Sequence, residues 1–257
     1  MIKLKHGLTT FDIKVIGILL MVVDHFHQMF FTIAPTWFDY FGRPVATIFF
    51  FVSVIGFSHT HSKEKYRNRL YLGMILMAIG DLLLTRFVPT QVQLINNIFI
   101  DLFLGVVLMY GVDAIGNYRR TNNWHQLLLG IFLWALPVLL AIPSFLVSSL
   151  SGTAQQVGVT AVLTFVPSVL TAENNLMVYL IPFLYIFRNN KNIQAALIAL
   201  VSLIYLLMGN YQWLMVFAVV PLYLYNGEKG SGMRNFFYYF YPLHIWILYL
   251  IAALFGI

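Results

Sequence analysis

Long apolar runs separated by short polar breaks dominate the chain. A membrane-crossing helix needs about 20 mostly apolar residues, with a range of about 17–25. Such runs fall near residues 12–31, 44–60, 70–88, 95–115, 125–150, 193–209, 211–225 and 236–256, and each predicts a helix. Two shorter runs, "VGVTAVLTFVPSVL" and "LMVYLIPFLYIF", lie between 150 and 192, and each contains a proline. Runs of that length are often re-entrant or interfacial. They read as two short spans, or as one span and one re-entrant hairpin. The pattern therefore predicts an all-α polytopic integral membrane protein with about ten (nine to ten) transmembrane helices. No internal repeat, low-complexity tract or long linker divides the chain, so 1–257 reads as a single transmembrane domain.

Composition agrees with this picture. Of the 257 residues, 60% are hydrophobic and only 9% are charged. A soluble domain carries about 25% charged residues, so too few remain here to cover a water-facing surface. The net charge of +6 then reports orientation. With the N-terminus cytoplasmic, Lys3, Lys5, Lys14, Lys63, Lys65, Arg67, Arg69, Arg119 and Arg120 lie inside. Arg43 and Arg86 then face outside. In the second half the counts pull apart. Nine spans keep Arg188, Lys191, Lys229 and Arg234 inside, whereas ten place them outside. No basic stripe interleaved with aromatics lies outside the apolar runs, so nucleic acid is not expected as a partner. There is no Cys, which excludes disulfides, a thiolate nucleophile and Cys-ligated metals. The first apolar run is too long for a cleavable signal and reads as a retained span. The lipid bilayer is the expected surrounding, and a multi-pass protein of the cell (cytoplasmic) membrane is the expected localisation.

Ionisable groups inside a span cost at least ~2.5–3.5 kcal/mol each for Asp, Lys or Arg at the helix centre, so they are functional candidates. The first run carries Asp24, His25, His27 and Gln28. On a helix Asp24, His27 and Gln28 share one face, and His25 points about 100° from Asp24. Asp24 is thus expected to pair with His27 or with a group on another helix, leaving His25 to face a cavity. A neutral imidazole there can take a proton from an amine or hydroxyl nucleophile.

At the other end, Asn235, Tyr238, Tyr241 and His244 recur every third residue, and Pro242 opens the backbone nearby. By helical rise His244 lies about 12 Å into its span and His25 about 18 Å into its own. Both depths fall near the middle of a ~30 Å hydrocarbon layer. The plainer reading makes His244 a tie between helices.

Arg43 and Pro44 mark a helix start. Ala46, Ser53, Gly56 and Thr60 then form a small-residue stripe suited to close packing. A basic loop follows with His59, His61, Lys63, Lys65, Arg67 and Arg69, of which Arg67 and Arg69 open the next helix. It is either a topology signal that holds anionic headgroups or a cradle for phosphates. Asp81 is matched with Arg86. Asp101, in "NNIFIDLFLG", lies deeper, and Asp113 is a further acidic residue near a span. No phosphate-loop, Ser-His-Asp or zinc-helix motif is present, and no metal is expected.

Taken in order, "MVVDHF", "GRPVATIFFFVSVIGFSHT", "KYRNRL", "NNIFIDLFLG" and "FFYYFYPLHIWIL" resemble the TraX family of membrane proteins. The resemblance covers nearly the whole chain, most weakly over about 125–225. TraX is associated with N-terminal acetylation of pilin, and the family is similar to the acyltransferase type 3 membrane enzymes. "FFFVSVIGF" and "YPLH" echo their "FFxxSG"-like and "YxxH"-like segments. The resemblance favours ten spans. It implies that His25 is catalytic and that Arg67 and Arg69 lie near the acyl donor. Thr47 and Asp101 depart from the pattern, and the spacing of an Arg ten residues before a His is not evident.

Residues and resemblance together lead to a membrane acyltransferase that uses acyl-CoA, with acetyl-CoA as donor. The acceptor is an amine or hydroxyl of a protein, peptide or envelope glycan. His25 is the expected general base, with Asp24 as orienting or electrostatic partner. His244 and Tyr241 line the cavity. Lys65, Arg67, Arg69 and His59 hold the donor, while Arg43 and Asp101 hold the acceptor. The rival expectation is a proton-coupled transporter or channel with Asp24, His25, Asp81, Asp101 and His244 as relay; a haem site on paired His residues is a third.

Overall fold

A computed structural model describes residues 7–94, 97–232 and 234–256, with the backbone alone at 234 and 235. Lys3, Lys5, Asn96 and the side chains of Arg234 and Asn235, all invoked above, lie outside the described residues. Within them the chain is helical, and no strand forms; a single parallel bridge joins Leu8 to Tyr225.

The first helix, α1 (Thr10–Met29), starts where Thr9 and Asp12 form a reciprocal capping box. After a 3₁₀ turn at Thr36–Phe38 come α2 (Asp39–Gly42) and α3 (Val45–His59). Pro44 stands just before α3, and its carbonyl accepts the amide of Ile48 at 2.9 Å, as the predicted start requires. Next are α4 (Lys63–Phe87) and α5 (Ile98–Thr121), the latter closed by Asn122 in the left-handed region at φ 53°. Pro137 lies within α6 (Trp124–Leu139), and α7 (Ile142–Ser148) and α8 (Gly152–Phe165) follow. A 3₁₀ turn at Asn175–Tyr179 leads into α9 (Leu180–Ile186). The chain ends with α10 (Lys191–Leu207), a 3₁₀ turn at Tyr211–Ala218, α11 (Val219–Leu224) and α12 (Arg234–Leu254).

Among the described residues five helical stretches are long and apolar enough to cross a membrane: Thr36–His59, Lys63–Phe87, Ile98–Thr121, Trp124–Ser148 and Phe236–Leu254. Asn175–Ile186, Lys191–Leu207 and Tyr211–Leu224 are shorter apolar helices. α1 has 20 residues but includes Asp12, Lys14 and Asp24. Large apolar side chains such as Leu72, Leu83, Phe132, Leu203 and Leu207 are exposed. Exposed faces of this kind suit a hydrocarbon surrounding.

One boundary differs from expectation. The apolar pattern starts near 70, with Arg67 and Arg69 expected to open the helix, but α4 starts at Lys63. Ser62 caps it by accepting the amide of Lys65 on its hydroxyl at 3.2 Å. Most of the predicted basic loop is therefore helix. Apolar counting marks the hydrocarbon layer, and a helix can run on past it into the polar zone.

The chain divides into two compact units. The first comprises Met1–Val52, Asp81–Leu94 and Phe187–Ile257. In it α1 packs on α2 and α12, and α10 packs on the 3₁₀ turn and α11. The buried stripe of α1 runs Ile13, Gly17, Met21 and Asp24, at helical spacing. Gly17 lets Phe49 approach, since a Cβ there would lie 3.1 Å from the ring. The second unit comprises Ser53–Gly80 and Ile95–Ile186. There α5 packs on α6 and α9. Gly111 and Gly130 face each other across the α5–α6 crossing, each within 3.1 Å of the other's carbonyl if given a Cβ. That close approach is what small residues provide between membrane helices.

Candidate active site

His25 and His244 meet in the first unit. The turn of α1 that buries Asp24 toward α2 swings His25 toward α12. His25 Nδ1 and His244 Nε2 are 2.8 Å apart, with the two ring planes within 14° of each other. His25 is 3% exposed and His244 8%. The second nitrogen of His244, Nδ1, lies 2.8 Å from the carbonyl of Phe240, one turn back. A carbonyl only accepts, so His244 Nδ1 carries a hydrogen. In the neutral pair His244 Nε2 must then accept, and His25 Nδ1 donates to it. The lone pair of His25 is thereby assigned to Nε2. A backbone carbonyl thus sets the tautomers of both rings, in the way a fixed outer partner orients an imidazole.

Aromatic rings enclose the pair. Phe240 stacks on His244 at 4.9 Å, and Tyr241 stands edge-on to both imidazoles at 6.3 and 5.9 Å. Such a site holds a basic nitrogen away from bulk water.

Asp24 faces the other way. Its carboxylate occupies the space that a Cβ of residue 42 would fill, so only Gly42 admits it. Arg43 Nη2 lies 3.6 Å from Asp24 Oδ1. Arg43 Nε also donates to the carbonyl of Asp39 at 3.0 Å, and Gln212 Nε2 donates to the carbonyl of Arg43 at 3.1 Å. His27 pairs with Asp39, Nδ1 to Oδ1 at 2.5 Å. The orienting contact expected from Asp24 to His25 is replaced by one from His244. Asp24 finds its partner off α1, at Arg43. Arg43, expected at the acceptor, is engaged by Asp24, Asp39 and Gln212.

Asp81 also departs from expectation. It accepts the indole N–H of Trp246 at 2.8 Å rather than pairing with Arg86, because an adjacent turn of α12 offers a donor at its own depth.

In the second unit Asp101 is fully buried and accepts the backbone amide of Asn174 at 3.2 Å and its side-chain amide at 2.5 Å. It ties the 171–174 loop to the first turn of α5. Lys65, Arg67 and Arg69 lie on the first two turns of α4. Lys65 is exposed, and Arg67 donates to the side chain of Asn68 through Nε and Nη2 at 3.1 and 2.9 Å. His59 is exposed at the end of α3 and donates Nδ1–H to the carbonyl of Ile55 at 2.9 Å. Lys63 pairs with Asp113 at 2.5 Å and sits over the Phe57 ring at 4.3 Å; Tyr185 donates to the same carboxylate at 2.8 Å. Ser53 and Tyr66 share a hydrogen bond of 3.1 Å, which closes the small-residue stripe of α3 on α4.

Asp39, Gly42, Gln212, Phe240 and Trp246 were not legible as site residues. Only Asp39 carried a signal, because it precedes Arg43 by four residues. Among the described residues no group of three or more His, Asp or Glu is placed to hold a metal ion.

A family model described as TraX protein matches residues 11–252. No curated protein matches the chain. No solved structure matches it.

Proposed function

The chain belongs to the TraX family of membrane proteins, and from that premise we propose that it is a membrane-embedded acyltransferase. It moves an acetyl group from acyl-CoA to an amine or hydroxyl of a protein, peptide or envelope glycan. The observation that carries this reading is the buried His25–His244 contact, whose outer partner assigns the lone pair of His25 to Nε2.

His25 Nε2 takes the proton of the nucleophile as that atom attacks the thioester carbonyl. The tetrahedral intermediate collapses, the carbon–sulfur bond breaks, and His25 returns the proton to the leaving thiolate. The products are the amide or ester and free CoA. As charge develops on His25, its Nδ1–H bond to His244 strengthens, so His244 stabilises the imidazolium. Tyr241 shapes the apolar wall. Lys65, Arg67 and Arg69, cations at the positive end of α4, bind the donor's phosphates. In this reading the N-terminus is cytoplasmic, ten helices span the cell membrane, and the donor enters from the cytoplasm.

A relay of intramembrane carboxylates, as in a proton-coupled transporter, finds less support. Asp81 and Asp101 each accept from an N–H that is not a proton donor in the acid–base sense, Trp246 and Asn174 respectively.

The test is release of CoA thiol from acetyl-CoA by the purified protein supplied with amine and hydroxyl acceptors. The absence of Cys gives the assay no background from the protein. Acceptor-dependent thiol release is the expected result, and its loss in His25→Ala ties it to the site. No release with any acceptor, together with pH-driven proton uptake into vesicles, would favour the relay.

A further inference from the structure

We propose that Asp81 is a positioning residue for His244, acting through Trp246. The proposal rests on the acyltransferase reading above, because it assigns Asp81 a part in holding that same site. Asp81 is buried in α4, and its Oδ1 accepts the indole N–H of Trp246 at 2.8 Å. One turn further along α12, the hydroxyl of the fully buried Tyr249 donates to the carbonyl of Val88 at 2.7 Å. Val88 follows directly on the last residue of α4, where helix carbonyls have no partner within the helix.

Trp246 and Tyr249 are three residues apart and share one side of α12. At about 100° per residue that side is turned roughly 140–200° from His244. Two hydrogen bonds therefore grip the back of α12 while His244 and Tyr241 present its front to α1. Pro242 removes one backbone hydrogen bond within this helix, so its local rotation is less constrained from inside. The grip on Trp246 fixes the azimuth of His244 and hence the 2.8 Å contact with His25. A buried carboxylate in a membrane helix asks for a reason, and this geometry supplies one that does not involve proton transfer.

The experiment compares Asp81→Ala, Asp81→Asn, Trp246→Phe and His25→Ala in membranes, with kcat and KM for acetyl-CoA measured per inserted molecule. Asp81→Ala and Trp246→Phe are expected to lower kcat by about tenfold or more, the scale of loss that a misplaced catalytic group produces, with KM within about twofold. Asp81→Asn is expected to stay near the parent, since an amide oxygen still accepts the indole N–H. If Asp81→Ala fails to insert, the double variant Asp81→Asn/Trp246→Phe removes the same hydrogen bond while keeping the volume at residue 81 and leaving no buried charge. Parent-level kcat in Asp81→Ala, or in the double variant where that replaces it, overturns the proposal. So does an Asp81→Asn variant as impaired as Asp81→Ala, which assigns the effect to the charge. Full activity in His25→Ala instead overturns the base assignment, a separate failure.

Discussion

His25 and His244 stand 219 residues apart in sequence and share a buried contact of 2.8 Å. The Phe240 carbonyl behind His244 gives that contact a direction, from His25 to His244. In the proposed mechanism His244 is therefore an aid to the base rather than a second base. Replacing it with Gln should lower kcat by about 100-fold, the low end of the ~10²–10⁴-fold that acid–base catalysis contributes. His25→Ala should cost more. Steady-state transfer rates of the two variants at equal membrane content check this order.

Gly42→Ala should destabilise the first unit. Its Cβ would fall inside the Asp24 carboxylate, and overpacking of a buried site costs about 1–3 kcal/mol. The midpoint of thermal unfolding in detergent should drop. The double variant with Asp24→Gly should recover part of that loss, because the clash is gone.

Charge reversal at Arg67 and Arg69 should weaken CoA binding. Both lie on the first two turns of α4, where the helix end already favours anions. Binding measured by calorimetry should fall by about tenfold or more, each lost charge-assisted hydrogen bond being worth about 1.5–3 kcal/mol. Raising the salt should narrow the gap between variant and parent.

Asp113→Asn should have a modest effect. Its pair with Lys63 is about a third exposed on both sides, and exposed pairs contribute about 0.2–1 kcal/mol. Tyr185 keeps its acceptor in the amide oxygen. The thermal midpoint should move only slightly, and hydrogen exchange at the start of α4 should rise.

Much of the fold was legible because hydropathy reports directly on what faces lipid. The runs near 125–150 and 236–256 appear as α6 with α7, and as α12. The first turn of α4 was hidden, since Lys63 and Lys65 lie beyond the apolar count although the helix begins with them, a turn ahead of the expected opening at Arg67 and Arg69. In the site, helical geometry separated His25 from Asp24 and brought its depth near that of His244. It could not show that Asp24 would meet Arg43, because that contact depends on the turn from α1 into α2 and on Gly42 making room. Nor could it pair Asp81 with Trp246, a contact between residues 165 positions apart. Contacts of that range depend on packing, and one sequence does not display it.

The proposed mechanism stands or falls on His25 Nε2 as the base for acyl transfer. Its most direct test is acetyl transfer from labelled acetyl-CoA in membranes that carry His25→Ala at parental abundance. Transfer is expected at the level of membranes lacking the protein, with CoA binding retained. Parental transfer in that variant would contradict it.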